Sequence, residues 1–389
     1  MPPQVMAFPD EDDARKGPEK GIALCLSGGG YRAMVFHLGA LIRLNEAGLL
    51  AKLARVSSVS GGTITAAVLG LHWKDLVFDA GGVATNLGIV VDAVRAMADT
   101  SVDVGAVIGG ILLPGTIADR VAAKYDSVLF RGATLQDLPD GEAGRGPRFV
   151  LNATNVQSAA LWRFSRPYMG DYRVGMVLQP TLPLAQAVAA SSAFPPVLSP
   201  MTLKLRQPVV PTKGADLSVP PYTSRAVLSD GGVYDNLGLE TAFKRCTTLL
   251  VSDAGAKIKP EKDPADDWVR HSVRVLEVVD NQVRSLRTRG LIDAYKRGDR
   301  TGTYWAVRAQ FADYELPDDP LGCAGRDSTY LAEIPTRLEE MPRKLQEQLV
   351  NWGYAICDTA LRRWFAATAK AEYGVTIGQP KGFPYARGY

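Results

Sequence analysis

The sequence predicts an α/β protein built on a mostly parallel central sheet. Residues 21–27 form a nearly continuous apolar run of the kind found in strands that are buried on both faces, and residues 53–59 form a second, β-prone stretch. Glycines follow each run, and helical periodicity then extends over residues 31–48 and 63–71. Strand–helix–strand–helix order brings successive strands side by side in parallel, with right-handed connections. The beginning of the chain therefore predicts such a sheet.

Composition narrows the function without naming it. The 389 residues are 46% hydrophobic and 22% charged, and the net charge of +3 gives no indication of a nucleic-acid partner. The four cysteines are scattered, with no Cys-x-x-Cys pair and no histidine cluster nearby, so we expect no metal and no disulfide framework. This cysteine usage favours a reducing compartment. Residues 1–19 form a polar tail that lacks the apolar core of a signal peptide.

Later segments extend the sheet and add helices. Further strands are predicted at residues 148–153, 226–228, 247–252 and 303–307. Residues 75–138 are interpreted as a helical insertion that covers the sheet, and their apolar run 104–117 is expected to be buried or part of this cap. Residues 140–147 and 199–224 have the glycine and proline content of loops. No run approaches the roughly 18 apolar residues of a membrane-spanning helix.

Two long amphipathic helices are predicted towards the C-terminus, at residues 268–296 and 337–367. The apolar stripe of the first contains Val273, Leu276, Val279, Val283, Leu286 and Leu291. We expect each helix to lie at the surface and to pack by one face. The arginines of the first helix suit either a solvated face or contact with a phosphate or an anionic membrane surface, and the solvated face is the default interpretation.

A glycine loop follows the first strand as Ser27-Gly28-Gly29-Gly30-Tyr31-Arg32-Ala33. Such a loop directs backbone N–H groups into a cavity, where they can cradle a phosphate or stabilise an oxyanion. A Walker loop is excluded because Gly-Lys-Ser/Thr is absent. A dinucleotide site would need an acidic residue at the end of the second strand, whereas Glu46 lies in the helix. A tight turn without function is the third interpretation.

Ser60 lies at the corner between the second strand and the helix behind it. Gly61 and Gly62 follow, so the hydroxyl is left uncovered where the helix N-terminus offers free N–H groups and a positive dipole end. This is the geometry of a nucleophile elbow, although Ser58 occupies the place of the first glycine in G-x-S-x-G. Serine is small enough for that turn. An ordinary helix start is the alternative.

Two further segments have possible roles in chemistry. Asp230, in Leu-Ser-Asp-Gly-Gly, is either a carboxylate at a strand end or part of a common Asp-Gly turn. The run Ala-Ala-Ser-Ser-Ala-Phe-Pro-Pro at residues 189–196 has the small side chains of a helix end packed closely against another element. Neither segment is specific alone.

In this order the four segments resemble the patatin-like phospholipase family, from about residue 21 to about residue 255 and more weakly to about residue 308. Ala33 replaces the last glycine of the family's loop. The loop also resembles that of group IV cytosolic phospholipases, in which the arginine matching Arg32 is important for activity. The resemblance implies a three-layer α/β/α sandwich with a catalytic domain at residues 20–310 and a C-terminal helical extension at 311–389.

The resemblance also implies a chemistry. Ser60 and Asp230 would form a catalytic dyad without histidine that cleaves carboxylic esters of a phospholipid or lysophospholipid through an acyl-enzyme. Arg32 would pair with the substrate phosphate, and the oxyanion hole would comprise Gly28, Gly29, Gly30 and Gly61. No cofactor is implied. The expected location is the cytoplasm, with action at the membrane surface.

Two alternatives stay open at this stage. One is a three-residue relay of Ser60, Asp253 or Asp230, and His271, as in α/β-hydrolases. The other is a non-catalytic lipid- or nucleotide-binding module that uses the glycine loop as an anion cradle. Some bacterial relatives are effectors switched on by a signal, but the sequence contains no identifiable trigger site. The sequence does not determine whether a regulatory ligand or a homo-oligomer exists. It also does not determine which acyl position is cleaved or which lipid head group is preferred.

Overall fold

The structure, a computed structural model, describes residues 17–102, 117–141, 145–256 and 258–389. Its centre is a ten-stranded sheet with the path β10-β9-β1-β2-β3-β4-β5-β6, in which β8 pairs with β3 and β7. The strands are β1 (Glu19–Leu26), β2 (Leu53–Val59), β3 (Arg148–Asn155), β4 (Ala160–Phe164), β5 (Tyr168–Asp171), β6 (Gly175–Leu178), β7 (Met201–Lys204), β8 (Arg225–Asp230), β9 (Cys246–Asp253) and β10 (Thr301–Ala306).

The strands from β10 to β3 are parallel, as the sequence predicts. Leu24 of β1 lies opposite Val56 of β2 on one side and Leu250 of β9 on the other. Their side chains are fully buried, because helices cover both faces of the sheet. The remaining strands pair antiparallel: β4 and β8 with β3, then β5 and β6 beyond β4, and β7 with β8. The predicted loop at residues 199–224 therefore contains a strand, β7.

Helices lie on both faces of this sheet and complete a three-layer α/β/α sandwich. They are α1 (Gly30–Glu46), α2 (Gly61–His72), α3 (Gly88–Ala98), α4 (Ile117–Tyr125), α5 (Leu184–Ser191), α6 (Gly232–Asp235), α7 (Leu239–Phe243), α8 (Trp268–Arg297), α9 (Thr329–Ala332), α10 (Arg343–Ala360) and α11 (Ala366–Tyr373). Along β1, Ile22, Leu24 and Leu26 enter the larger core, whereas Ala23 and Cys25 face a smaller core beneath α7 and α8.

The predicted insertion at residues 75–138 contributes α3, α4 and short turns to the described structure. Its apolar run 104–117 falls outside the described residues except for Ile117, which begins α4. Within the parts of the chain that the structure covers, no helix has both the length and the apolar character to cross a membrane. The domain limits at residues 20–310 and 311–389 stay a prediction.

Helix α10 is central, which corrects the expectation of a surface helix packed by one face. Its residues from Leu349 onward are buried, and it packs against α1. A Cβ on Gly39 of α1 would lie 2.0 Å from the Val350 carbonyl oxygen, and one on Gly353 would lie 2.0 Å from the Phe36 carbonyl oxygen. Only glycine allows the two backbones to approach so closely.

Helix α8 does lie at the surface, but only part of its predicted apolar stripe packs inward: Leu291 is buried and Val273 and Val283 are half-buried. Leu276, Val279 and Leu286 are exposed, whereas Arg284 and Leu291 are buried. Polar anchors explain the orientation. Arg284 donates to the Ala256 carbonyl at 2.7 Å, and Arg287 forms an ion pair with Glu240 at 2.9 Å. Among the described residues, these charged groups bond to elements on the inner side of the helix, which periodicity alone does not reveal.

Candidate active site

Ser60 sits where β2 ends and α2 begins, in an unusual backbone conformation. Its φ is 51° and its ψ is −122°. A positive φ in a non-glycine residue costs about 1–3 kcal/mol and persists only when the surroundings hold it. Here the Ser60 N–H donates to the Ser191 hydroxyl at 3.0 Å. This is the strained strand-to-helix turn that characterises a nucleophile elbow.

Ser191, at the end of α5, connects the two predicted catalytic segments. Its hydroxyl accepts from Ser60 and donates to the Asn152 carbonyl at 2.7 Å, and its carbonyl accepts from Gly231 N–H at 3.2 Å. Two residues on, the Ala193 carbonyl accepts from the backbone N–H of Asp230 at 2.8 Å. The run of small residues that the sequence indicated as a packing motif thus fixes Ser60 and Asp230 relative to each other.

Asp230 is the last residue of β8 and is buried. Its Oδ1 accepts from Gly232 N–H at 2.7 Å, whereas its Oδ2 has no hydrogen-bond partner among the described residues. Burial raises the pKa of this carboxyl to about 7; the bond from Gly232 and the Ser60 side chain oppose the rise, and the charge of Asp280 adds to it. Ser60 is therefore near enough to affect the carboxylate, but without the geometry of a full hydrogen bond.

The glycine loop follows β1 and faces Ser60. Gly28 N–H donates to the Asn236 carbonyl at 3.0 Å, so this donor is occupied. Among the described residues, no acceptor is found for the N–H groups of Gly29, Gly30 and Gly61. A Cβ on Gly61 would lie 2.0 Å from the Gly30 carbonyl oxygen, because the loop and the elbow touch. Three backbone donors are thus available close to Ser60.

Arg32 is buried beneath the loop, and each of its three nitrogens donates to the protein. Nε donates to the Ala254 carbonyl at 3.0 Å, Nη1 to the Ile334 carbonyl, and Nη2 to Thr336 Oγ1 at 3.2 Å. The side chain joins the loop to the end of β9 and to the C-terminal extension. Its predicted contact with a substrate phosphate stays a prediction, and clamping the loop is the role that these bonds support.

The histidines take no part in the pocket that contains Ser60. His271 is exposed on the first turn of α8, so the predicted relay through it receives no support. Asp253, the other acid considered for that relay, does not bond a histidine in the described parts of the chain. Its carboxylate forms an ion pair with Arg308 at 2.8 Å and accepts from the Tyr304 hydroxyl at 2.6 Å. His37 is buried behind the glycine loop. The sequence places this histidine in no recognisable motif.

His37 supports the loop as a neutral ring. Its Nε2 lies 2.9 Å from the Ser27 carbonyl oxygen, which can only accept, so Nε2 carries the hydrogen. Nδ1 then accepts from the Ser252 hydroxyl at 2.8 Å. Burial lowers the pKa of His37 to about 4, so the ring stays neutral near pH 7. The imidazole thereby links the ends of β1 and β9 without acting as a base.

A cavity of about 470 Å³ opens above Ser60 and Asp230. Apolar side chains form much of its wall: Phe194, Val233, Val273, Leu276, Val279 and Val283. Lys259, Arg274, Glu261 and Glu277 add charge to its lining. Among the residues that the structure describes, no group of three His, Cys, Asp or Glu side chains is arranged to hold a metal ion. The cavity suits an amphipathic ligand with a long apolar part.

Fold and site together define a class: an α/β/α sandwich whose serine elbow, glycine loop and buried carboxylate meet at the ends of the central strands. The family model described as patatin-like phospholipase matches residues 24–243. This chain belongs to the patatin-like phospholipase family, which confirms the resemblance predicted from the sequence.

A solved structure agrees with this chain on the fold. Human GIVD cytosolic phospholipase A2, in complex with methyl gamma-linolenyl fluorophosphonate and terbium chloride, is similar with a TM-score of 0.50 and 15% identity, over 94% of this chain and 60% of that one. VipD from Legionella pneumophila is similar with a TM-score of 0.33 and 17% identity, over 85% of this chain and 66% of that one. The second score is too low for any argument. A comparison with curated proteins finds no match.

Proposed function

We propose that this protein hydrolyses carboxylic esters of membrane phospholipids or lysophospholipids, with Ser60 as nucleophile and Asp230 as general base. The proposal rests on the burial and the hydrogen bonding of the Asp230 carboxyl group. One oxygen of this buried carboxyl is fixed by Gly232, and the other has no partner among the described residues, in the same cavity as Ser60. A carboxylate whose pKa lies at about 7 is suited to accept a proton near neutral pH.

The proposed reaction proceeds in two halves. Asp230 accepts the hydroxyl proton of Ser60 as Oγ attacks the ester carbonyl, and the N–H groups of Gly29, Gly30 and Gly61 stabilise the oxyanion. The intermediate collapses with cleavage of the ester bond, and the departing alkoxide takes the proton from Asp230. Water then gives a proton to Asp230 and attacks the acyl-enzyme, which releases the fatty acid and restores the Ser60 hydroxyl.

The cavity supports a lipid substrate. Its apolar wall would accommodate an acyl chain. Lys259 and Arg274 in the same lining form ion pairs with Glu333, Glu261 and Glu277, so they indicate no preference for an anionic head group. We expect the protein to act in the cytoplasm at the surface of a membrane. The acyl position and the head group require a product assay with defined lipids.

Labelling with a fluorophosphonate probe tests the dyad. The wild type should be labelled at Ser60, Ser60→Ala should not be labelled, and Asp230→Asn should be labelled at least about 100-fold more slowly, which is about 2.7 kcal/mol of activation free energy. His271→Ala is the control and should keep the wild-type rate. Absence of labelling in the wild type, or loss of labelling in His271→Ala, would overturn the proposal in favour of a binding module or of the histidine relay.

A further inference from the structure

An apolar stripe on α8 is exposed to water. It consists of Trp268, Val275, Val279 and Leu286, whose exposed fractions are 81%, 48%, 49% and 53%. With 3.6 residues per turn, these positions point to one side of the helix. The stripe is about 27 Å long, at 1.5 Å per residue from first to last. It is therefore a row of apolar side chains along one side of the helix, with His271 and Ser272 between its first two members.

Folding alone does not account for this stripe. The opposite side of α8 already holds the helix in place, through the buried side chains of Arg284 and Leu291 and the ion pair of Arg287 with Glu240. In the part of the chain that the structure describes, about half of Val275, Val279 and Leu286 and most of Trp268 stay in contact with water. This exposure has an unfavourable free energy of about 25 cal/mol per Å² of apolar surface. A surface of this kind indicates contact with something outside the chain.

The stripe continues into the mouth of the catalytic cavity. Val279 belongs both to the stripe and to the cavity lining, and the neighbouring Leu276 is likewise partly exposed and lines the cavity. From other elements, Phe194 and Val233 line the same cavity and are 47% and 42% exposed. Val279 and Leu276 therefore connect the outer surface of α8 with the lining of the cavity above Ser60.

We propose that the α8 stripe and this apolar entrance dock on the surface of a phospholipid bilayer. The inference rests on the proposed function, because a lipid hydrolase must extract its substrate from that surface. Docking would let an acyl chain enter the cavity without crossing water, which avoids the hydration of the chain that a separated entrance would impose.

The ends of the stripe fit a membrane interface. Trp268, at the start of the stripe, is of the residue type that favours the boundary between head groups and acyl chains. Arg289, exposed one turn beyond Leu286, would meet the lipid phosphates. A helix with these features lies in the plane of the interface, with its apolar side facing the acyl chains. A second copy of the chain is the competing occupant, and the test separates the two.

Sedimentation with vesicles tests the proposal in the Ser60→Ala background, so that no lipid is consumed. The docking variant is Trp268→Ser, Val275→Ser and Leu286→Ser, whose residues lie outside the cavity lining. The matched control is Trp364→Ser, Val156→Ser and Val219→Ser, which removes comparable side chains that are 57%, 50% and 56% exposed elsewhere. Vesicles of phosphatidylcholine alone and of phosphatidylcholine with phosphatidylglycerol are compared.

The docking variant should bind both kinds of vesicle at least tenfold more weakly than the parent, and the control variant should bind like the parent. Unchanged vesicle binding by the docking variant would overturn the proposal. So would a parent that is a dimer by light scattering and that the docking variant converts to a monomer, since the stripe would then be a subunit interface.

A separate measurement distinguishes failure of docking from failure of the proposed function. With Ser60 restored, the docking variant should react with a water-soluble fluorophosphonate at the wild-type rate. Stripe-dependent vesicle binding without any labelling of Ser60 would retain the docking surface and reject the hydrolase. Labelling of Ser60 together with vesicle binding that does not depend on the stripe would retain the hydrolase and reject the docking surface.

Discussion

Replacing Asp230 by asparagine should stabilise the fold at alkaline pH while it removes activity. The amide has nearly the same shape as the carboxyl group, its oxygen can still accept from Gly232, and it carries no charge. Burial raises the pKa of Asp230 from its ordinary value of 3.8 to about 7. Above that pH the buried charge destabilises the folded protein, and the uncharged asparagine removes this destabilisation.

The size and sign of the effect follow from proton linkage. Between about pH 4 and about pH 7 the folded state holds the Asp230 proton while the unfolded state has released it, so the free energy of unfolding falls as pH rises. The difference of about 3 pKa units, at about 1.36 kcal/mol per unit, amounts to about 4 kcal/mol. Asp230→Asn should therefore exceed the wild type in stability by up to about 4 kcal/mol near pH 8, with little difference near pH 4.

Urea unfolding of both proteins across this pH range measures the difference directly. Asp171→Asn is the control, because the buried Asp171 accepts from Asn155, Ser158 and the backbone N–H groups of Arg173 and Val174. It should lose stability throughout the range. A stability difference between Asp230→Asn and the wild type that does not change with pH would refute the reasoning.

Three other outcomes are expected. The kcat/KM for ester hydrolysis should fall about tenfold per pH unit below about pH 7, since Asp230 must be ionised; a profile that is flat to about pH 5 would contradict its role as base. Ser191→Ala should lower kcat by about 10- to 100-fold with little change in KM, because the Ser60 N–H loses its acceptor, whereas Ser192→Ala should not. Gly39→Ala should lower stability by more than about 3 kcal/mol in thermal unfolding, because its Cβ meets the α10 backbone, whereas Gly290→Ala, with open space around it, should raise stability slightly.

Local sequence predicted the parallel core and the corners that follow it. Strand β1 has a continuous apolar run at residues 22–26, and β9 has a shorter one at residues 249–251. Strand β2 is recognised by its β-prone residues, and the glycines after β1 and β2 mark where the chain turns into a helix. These signals lie within a few residues of one another. For that reason Ser60 and the glycine loop could be placed at the same edge of the sheet before any contact was known.

Contacts between distant segments could not be predicted in the same way. The strands β5 and β6 are only four residues each, too short for a clear alternation of side chains. The orientation of α8 depends on partners for Arg284 and Arg287 that come from other elements. The support of the loop by His37 likewise depends on Ser252, which no local pattern connects to it.

The contacts of Tyr31 and Arg32 beneath the glycine loop predict how much of the chain activity requires. The Arg337 carbonyl accepts from Tyr31 N–H at 3.0 Å, and Arg32 donates to Ile334 and Thr336, so the C-terminal extension supports the predicted oxyanion loop from below. A protein shortened to the family-matched residues 24–243 would retain Ser60 and Asp230 yet lack this support. We therefore expect a fragment with hydrolase activity to extend beyond residue 337, far past the family match.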